Sequence, residues 1–213
     1  MATKKRPYHH GDLRRTLLES SVELIRERGL DALSLREVAR RAGVSPAAPY
    51  HHFATRDELF GALARDGFRL LGQAMRGARE AATGGVTERF QAIGEAYVRF
   101  ALAHPAHYRL MFRPRWVDAA KLAEDGAAHD AFEELLRGVS ELLESDALAA
   151  HVDRRGLVLS AWSLVHGAAD LLLDGPFAAG LDELGAPAQA IPALVTRAFA
   201  DLLRAAGSAG THS

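Results

Sequence analysis

Cysteine is absent from the 213 residues, which excludes disulfides, thiolate catalysis and thiolate zinc sites. Aromatic residues make up only 7%, and β-branched residues rarely alternate with polar ones, so the period-two pattern of a half-buried strand is hard to find. Long uncharged runs of the kind that span a bilayer are not expected either. The N-terminal MATKKRPYHHGD is basic but lacks the apolar core of a secretory signal, which predicts a cytoplasmic protein with no membrane partner. Gly-x-Ser-x-Gly elbows, phosphate-binding glycine loops and His-Glu-x-x-His pairs do not occur. No catalytic residue, cofactor or metal site is therefore expected; His9 and His10 lack a third ligand at helical spacing.

What remains is 48% hydrophobic and spaced for helices, so the fold class is all-α. A first helix runs from about Gly11 or Asp12 to Arg28, with Leu18, Val22 and Ile25 in one row, Leu17 and Leu24 extending that face, and Gly29 as its stop. A long helix extends from Thr55 to about Arg79, and Thr83-Gly84-Gly85 breaks the chain after it. Further helices are predicted at about 86–103, 105–113, 127–144, 155–174 and from Ile191 onward. The helix ending at Asp174 is apolar around most of its circumference, and Gly175-Pro176 terminates it. The last helix carries an uninterrupted face of Ile191, Leu194, Val195, Ala198, Phe199, Leu202 and Leu203. Two helices with surplus apolar surface predict an isologous homodimer in which they meet their symmetry mates.

Charge is uneven along the chain. Residues 1–71 hold 13 Lys/Arg against 9 Asp/Glu, whereas residues 72–213 hold 13 against 18. A basic front and an acidic rear suit a protein that offers one end to a polyanion. Lys4, Lys5 and Arg6 add a short basic arm that fits phosphates or a minor groove.

Ser34–Phe53, SLREVARRAGVSPAAPYHHF, organises the front. Ser34 and Glu37 have capping-box spacing, Gly43 suits a helix stop, and Ser45 with Pro46 suits a second helix start. Two short helices around a glycine turn form a helix-turn-helix, whose second helix enters the DNA major groove.

The run ALSLREVARRAGVSPAAPYHHFATRDELFGAL resembles the DNA-binding domain of the TetR/AcrR family of bacterial transcriptional regulators. The family pattern of tyrosine, any residue, histidine and phenylalanine at the end of the recognition helix stands here as Tyr50-His51-His52-Phe53, followed by a second capped start, Thr55 to Glu58. Pro49 departs from the family, where a β-branched residue or leucine is usual. It removes an N–H needed for the first intrahelical bond and disfavours helical geometry at Ala48, so a distorted or shortened first turn is expected. Farther on, HPAHYRLMF and AWSLVHGAADLLLDG resemble the Trp-His-Gly subgroup of TetR-type C-terminal domains, through Trp162, His166 and Gly167.

The resemblance implies an N-terminal three-helix homeodomain-like bundle followed by a helical regulatory and dimerisation domain. The expected divisions are a flexible basic arm at 1–10, the DNA-binding domain at 11–71, the regulatory domain at 72–206 and a disordered tail at 207–213. Tyr50, Thr55 and Arg56 are phosphate candidates, with Arg36 beside them. Ser45, Pro46, Ala47, Ala48 and His51 occupy the segment that would face base edges. His52 and Phe53 are better explained as structure: Phe53 packs the bundle, and His52 is a structural or a polar surface residue. Tyr97, Phe100, His104, Tyr108, Met111, Phe112, Trp116, Trp162 and His166 are candidate effector contacts or plain core. The function implied is a ligand-responsive repressor that binds a near-palindromic double-stranded DNA operator as a homodimer and is released by a small molecule. An all-α small-molecule-binding protein or enzyme, with the front bundle as scaffold, is the alternative.

Overall fold

The computed structural model describes residues 10–113, 115, 117, 120, 126–145, 152–174, 185 and 187–209. Eight α-helices and no strand occur among them. They are α1 (His10–Arg28), α2 (Leu35–Arg41), α3 (Arg56–Ala81), α4 (Val86–Ala103), α5 (Pro105–Met111), α6 (Ala127–Leu143), α7 (Arg154–Asp174) and α8 (Ile191–Ala209). Short 3₁₀ turns lie at Leu30–Ala32, Ala48–His51 and Ala188–Ala190. The expected arm at 1–10 lies outside the described residues except for His10, which opens α1. Gly175 and Pro176 also lie outside them. The last helix continues to Ala209, so the first residues of the expected disordered tail are helical.

The chain divides into two compact units, Met1–Asp66 with Ala106–Glu124, and Gly67–Pro105 with Asp125–Ser213. In the first, α1 packs on α2 and α2 on the 3₁₀ turn that follows it. Leu13, Leu17, Leu24 and Ile25 of α1 are buried with Leu33, Leu35, Val38, Phe53, Leu59, Phe60 and Leu63. Each such side chain contributes roughly 1.5–3 kcal/mol when fully buried. Of the predicted face of α1, Leu17, Leu24 and Ile25 are buried, while Leu18 and Val22 are only half-buried and Leu13 and Ser21 join the inward side. Serines 20 and 21 disguised that face. Ser21 tolerates burial because its hydroxyl donates to the Leu17 carbonyl at 2.7 Å. Outside the core, Arg41 of α2 reaches Glu23 at 3.0 Å and also pairs with Glu27, fixing α2 on α1.

The second unit is built around α4, which contacts α6, α7 and α8. Along α4, Phe90, Ile93, Tyr97 and Phe100 recur at spacings of three and four residues and are all buried, while His104 just beyond its end is exposed. Gly138 lets α6 approach closely: a Cβ there would stand 2.8 Å from Ile93 Cδ1 and 3.0 Å from Phe90 Cδ2.

Helix α7 corrects one expectation. Its length and a mean hydropathy of 1.5 meet the requirement for a membrane span. Ser160, Ser163, His166 and Asp170 dilute the run without breaking it. Leu157, Ala161, Val165 and Ala169 turn one stripe inward, at four-residue spacing, while Leu159 and Leu171 are 67% and 46% exposed. A one-sided buried stripe in a multi-helix unit is the pattern of a packed helix with a second apolar face left over. On α8, Leu194 and Leu202 are likewise exposed, at 46% and 69%.

One buried charge ties α3 to α6. The Glu134 side chain is only 2% exposed, and it accepts from Arg76 Nε at 2.8 Å and Arg79 Nε at 3.2 Å. Burial alone would raise the pKa of this carboxyl, but the two arginine hydrogen bonds outweigh it and hold the group below its ordinary value. A carboxylate with a depressed folded pKa adds stability above its unfolded pKa, about 4.3, and loses that contribution as pH falls through the folded value. Glu134→Gln should therefore cost on the order of 2 kcal/mol at pH 7. Thermal melts from pH 7 down to pH 3 should show a smaller acid-side fall in Tm for the variant than for the wild type. Parallel curves would remove Glu134 as the source.

Candidate nucleic-acid interface

Helix α2 starts where Ser34 Oγ accepts the Glu37 N–H at 3.2 Å. The return half of the predicted capping box gives way to ion pairs, because the Glu37 carboxylate is taken by Arg40 at 2.9 Å and Arg28 at 3.4 Å. At the other end Gly43 has φ +69, with Val44 N–H on the Ala39 carbonyl (3.0 Å) and Gly43 N–H on the Arg40 carbonyl (3.3 Å). That pair of bonds is a Schellman stop, and the positive φ is why glycine stands there.

The next element differs from a regular recognition helix. Ala48 N–H bonds Ser45 O at 3.0 Å, Tyr50 N–H bonds Ala47 O at 3.2 Å and His52 N–H bonds Pro49 O at 2.9 Å. Each spans three residues, so Ala48–His51 is one 3₁₀ turn. Pro49 is buried at its centre, and its missing N–H accounts for the expected distortion. Ser45 does not cap as predicted. The turn starts after Ala47 with no side-chain cap bond, and the Ala48 N–H that a Ser45 hydroxyl would accept is used by the Ser45 carbonyl instead.

Ser45, Pro46, Ala47, Tyr50 and His51 are exposed and Ala48 is half-buried. Tyr50, 53% exposed, is the largest apolar surface there. Arg36 is exposed on α2 and, among the described residues, carries no ion pair, whereas Arg40 and Arg41 are engaged. Behind this surface Phe53 is buried beneath the Arg14 guanidinium, 5.4 Å from its ring centroid. His52 is half-buried with its ring 6.5 Å from Phe53.

Helix α3 opens with Thr55 Oγ1 accepting the Glu58 N–H at 3.2 Å, while Glu58 Oε2 accepts the Ala54 N–H at 2.8 Å. Thr55 is exposed beside that N-terminus, a favourable place for an anionic oxygen. Arg56 turns inward. It donates to the Leu30 carbonyl at 3.0 Å and lies 4.8 Å over the Phe60 ring, so its guanidinium tethers the start of α3 to the turn after α1.

The effector candidates belong to both compact units. Tyr97 Oη and His166 Nδ1 lie 2.8 Å apart between α4 and α7. Burial lowers the pKa of His166, with Asp170 opposing, and keeps the ring neutral at pH 7. Trp162 packs on Phe132 at 4.9 Å and Phe100 stacks on His104 at 5.0 Å. Tyr108, Met111 and Phe112 belong to the other unit, where Tyr108 and Phe112 meet at 5.3 Å. Trp116 lies outside the described residues. Sequence reasoning passed over a cleft of about 530 Å³ in the first unit, lined by Ile25, Gly29, Leu30, Asp31, Arg109, Arg113 and Arg115. The signal available was the arginine spacing in RLMFRPR.

Two family models match the chain. Residues 17–63 match "bacterial regulatory proteins, tetR family" and residues 90–191 match "tetracyclin repressor-like, C-terminal domain". A Rhodococcus sp. RHA1 protein of unknown function is 37% identical over 94% of this chain and 100% of its own, with a TM-score of 0.76. The TetR-family regulator PfmR of Thermus thermophilus is 21% identical over 89% and 97%, TM-score 0.67. The fatty acid degradation regulator FadR of Bacillus halodurans is 16% identical over 92% and 95%, TM-score 0.65. At such identities the latter two share the fold.

The Arg56 tether is open to measurement. Arg56→Ala should lower stability by about 1.5–3 kcal/mol, the range for a hydrogen bond from a charged donor, read by chemical denaturation. Tyr50→Phe should stay within about 0.5 kcal/mol of wild type. Equal stability for both variants would refute the tether.

Proposed function

The chain belongs to the TetR family of bacterial regulators, and from that premise we propose that it is a homodimeric, ligand-responsive transcriptional repressor acting in the cytoplasm. Each subunit presents Ser45–His51 to the major groove of one operator half-site. Tyr50, Thr55 and Arg36 position the backbone through phosphate contacts, while Ser45, Pro46, Ala47, Ala48 and His51 face the bases. The observation that carries this is an exposed segment between two capped helices, with Tyr50 outward and Arg36 unengaged among the described residues. Short side chains at Ala47 and Ala48 suit a thymine methyl or close approach of the backbone.

The exposed leucines of α7 and α8 support a dimer in which both helices meet their symmetry mates. A small apolar or amphipathic molecule in the helical C-terminal region then shifts the dimer away from half-site spacing. Such control needs differential affinity for the two states, typically about 1–3 kcal/mol.

Duplexes selected from a random library should yield a near-palindrome bound by the wild type. Tyr50→Phe and Arg36→Ala should weaken binding to all sequences alike, and Arg36→Ala should flatten the dependence of log K on log salt by about one unit. Loss of preference at a single base position would instead make Arg36 a base reader. Sedimentation of Leu159→Glu/Leu202→Glu should show a monomer where the wild type shows a dimer; an unchanged dimer would exclude these faces.

A further inference from the structure

We propose that the arginine-lined cleft of the first unit is a binding site for a small phosphate monoester with a short apolar body. It is distinct from the DNA-facing segment and from the aromatic residues of the second unit.

Both walls are built by hydrogen bonds. On one, Gly29 adopts φ +79 with its N–H on the Ile25 carbonyl at 2.9 Å, and Leu33 N–H closes the turn on the Leu30 carbonyl at 3.3 Å. On the other, Arg113 N–H bonds the Leu110 carbonyl at 3.2 Å, and Val117 N–H bonds the Arg113 carbonyl at 3.2 Å. These turns set Arg109, Arg113 and Arg115 around a space of about 530 Å³, ample for a small organic ligand.

The chemistry of the lining selects the ligand. Guanidinium groups match the oxygens of a phosphoryl group in shape and charge. Arg109 and Arg115 have other interactions within the fold. Arg113 is exposed and, among the described residues, carries no ion pair, so its donors are available to a ligand. The carbonyl end of α1 offers only about half a negative charge to this cluster. Asp31 is the one carboxylate in the lining; it drives an anion toward the arginines and thereby orients it. Ile25 and Leu30 supply apolar surface for the rest of the molecule. An occupant would bear on the turn whose Leu30 carbonyl Arg56 grips.

The test is calorimetric titration of the full chain, without DNA, at fixed ionic strength in chloride. Phenyl phosphate should bind one per chain and more tightly than inorganic phosphate. Arg113→Ala should weaken it about tenfold without moving Tm, and Asp31→Asn should strengthen it. Equal titrations for wild type and Arg113→Ala would overturn the site. So would a wild type that ignores phenyl phosphate while Arg113→Ala loses affinity for a duplex of arbitrary sequence, which would make the cleft a DNA-backbone contact. Because no DNA is present in the titration, failure here leaves the proposed function standing, and failure of operator binding leaves this site standing.

Discussion

The segment from Val44 to Thr55 is too short to hold its own shape. Its backbone bonds span mostly three residues, a geometry weaker than that of an α-helix, and Pro49 removes one donor. Its conformation is therefore imposed by what flanks it. The Schellman stop at Gly43 aims the chain out of α2, Pro49 and Phe53 are buried as plugs, and the Thr55 cap restarts a helix. Arg56 adds a tether from the start of α3 to the turn after α1. Exposed side chains on such a segment can be presented rigidly only because the buried ones are fixed.

The same division of labour recurs among the charges. Arg36, Arg40 and Arg41 look equivalent in sequence, yet Arg40 serves the first turn of α2 and Arg41 serves α1. In the second unit Glu134 sits in a stripe of apolar positions and satisfies both oxygens with arginines from α3. A buried carboxylate so completely paired fixes which turn of one helix faces which turn of another, since removing either partner leaves an uncompensated group.

Helix α7 shows how an apolar composition can mislead. Its hydropathy alone fits a bilayer, but four inward residues pack in the unit while leucines remain outside. The outer face of α7 is not uniformly apolar, because Ser160, Ser163 and Asp170 stand exposed beside its leucines.

Much of the architecture was legible directly. The all-helical class follows from periodicity, the helix limits from caps and glycines, and the turn between α2 and α3 from Ser34, Gly43 and Phe53, because these are local preferences of the backbone. Pro49 announced a disturbed turn for the same reason. Other features depended on tertiary contacts. Arg56 turned inward because a carbonyl 26 residues earlier came within reach, and Glu134 was buried because two arginines arrived from α3. The arginine cleft formed from segments some eighty residues apart in sequence. Local chemistry determines where helices begin and end, but which polar group is buried, tethered or left exposed is set by neighbours that only folding brings together.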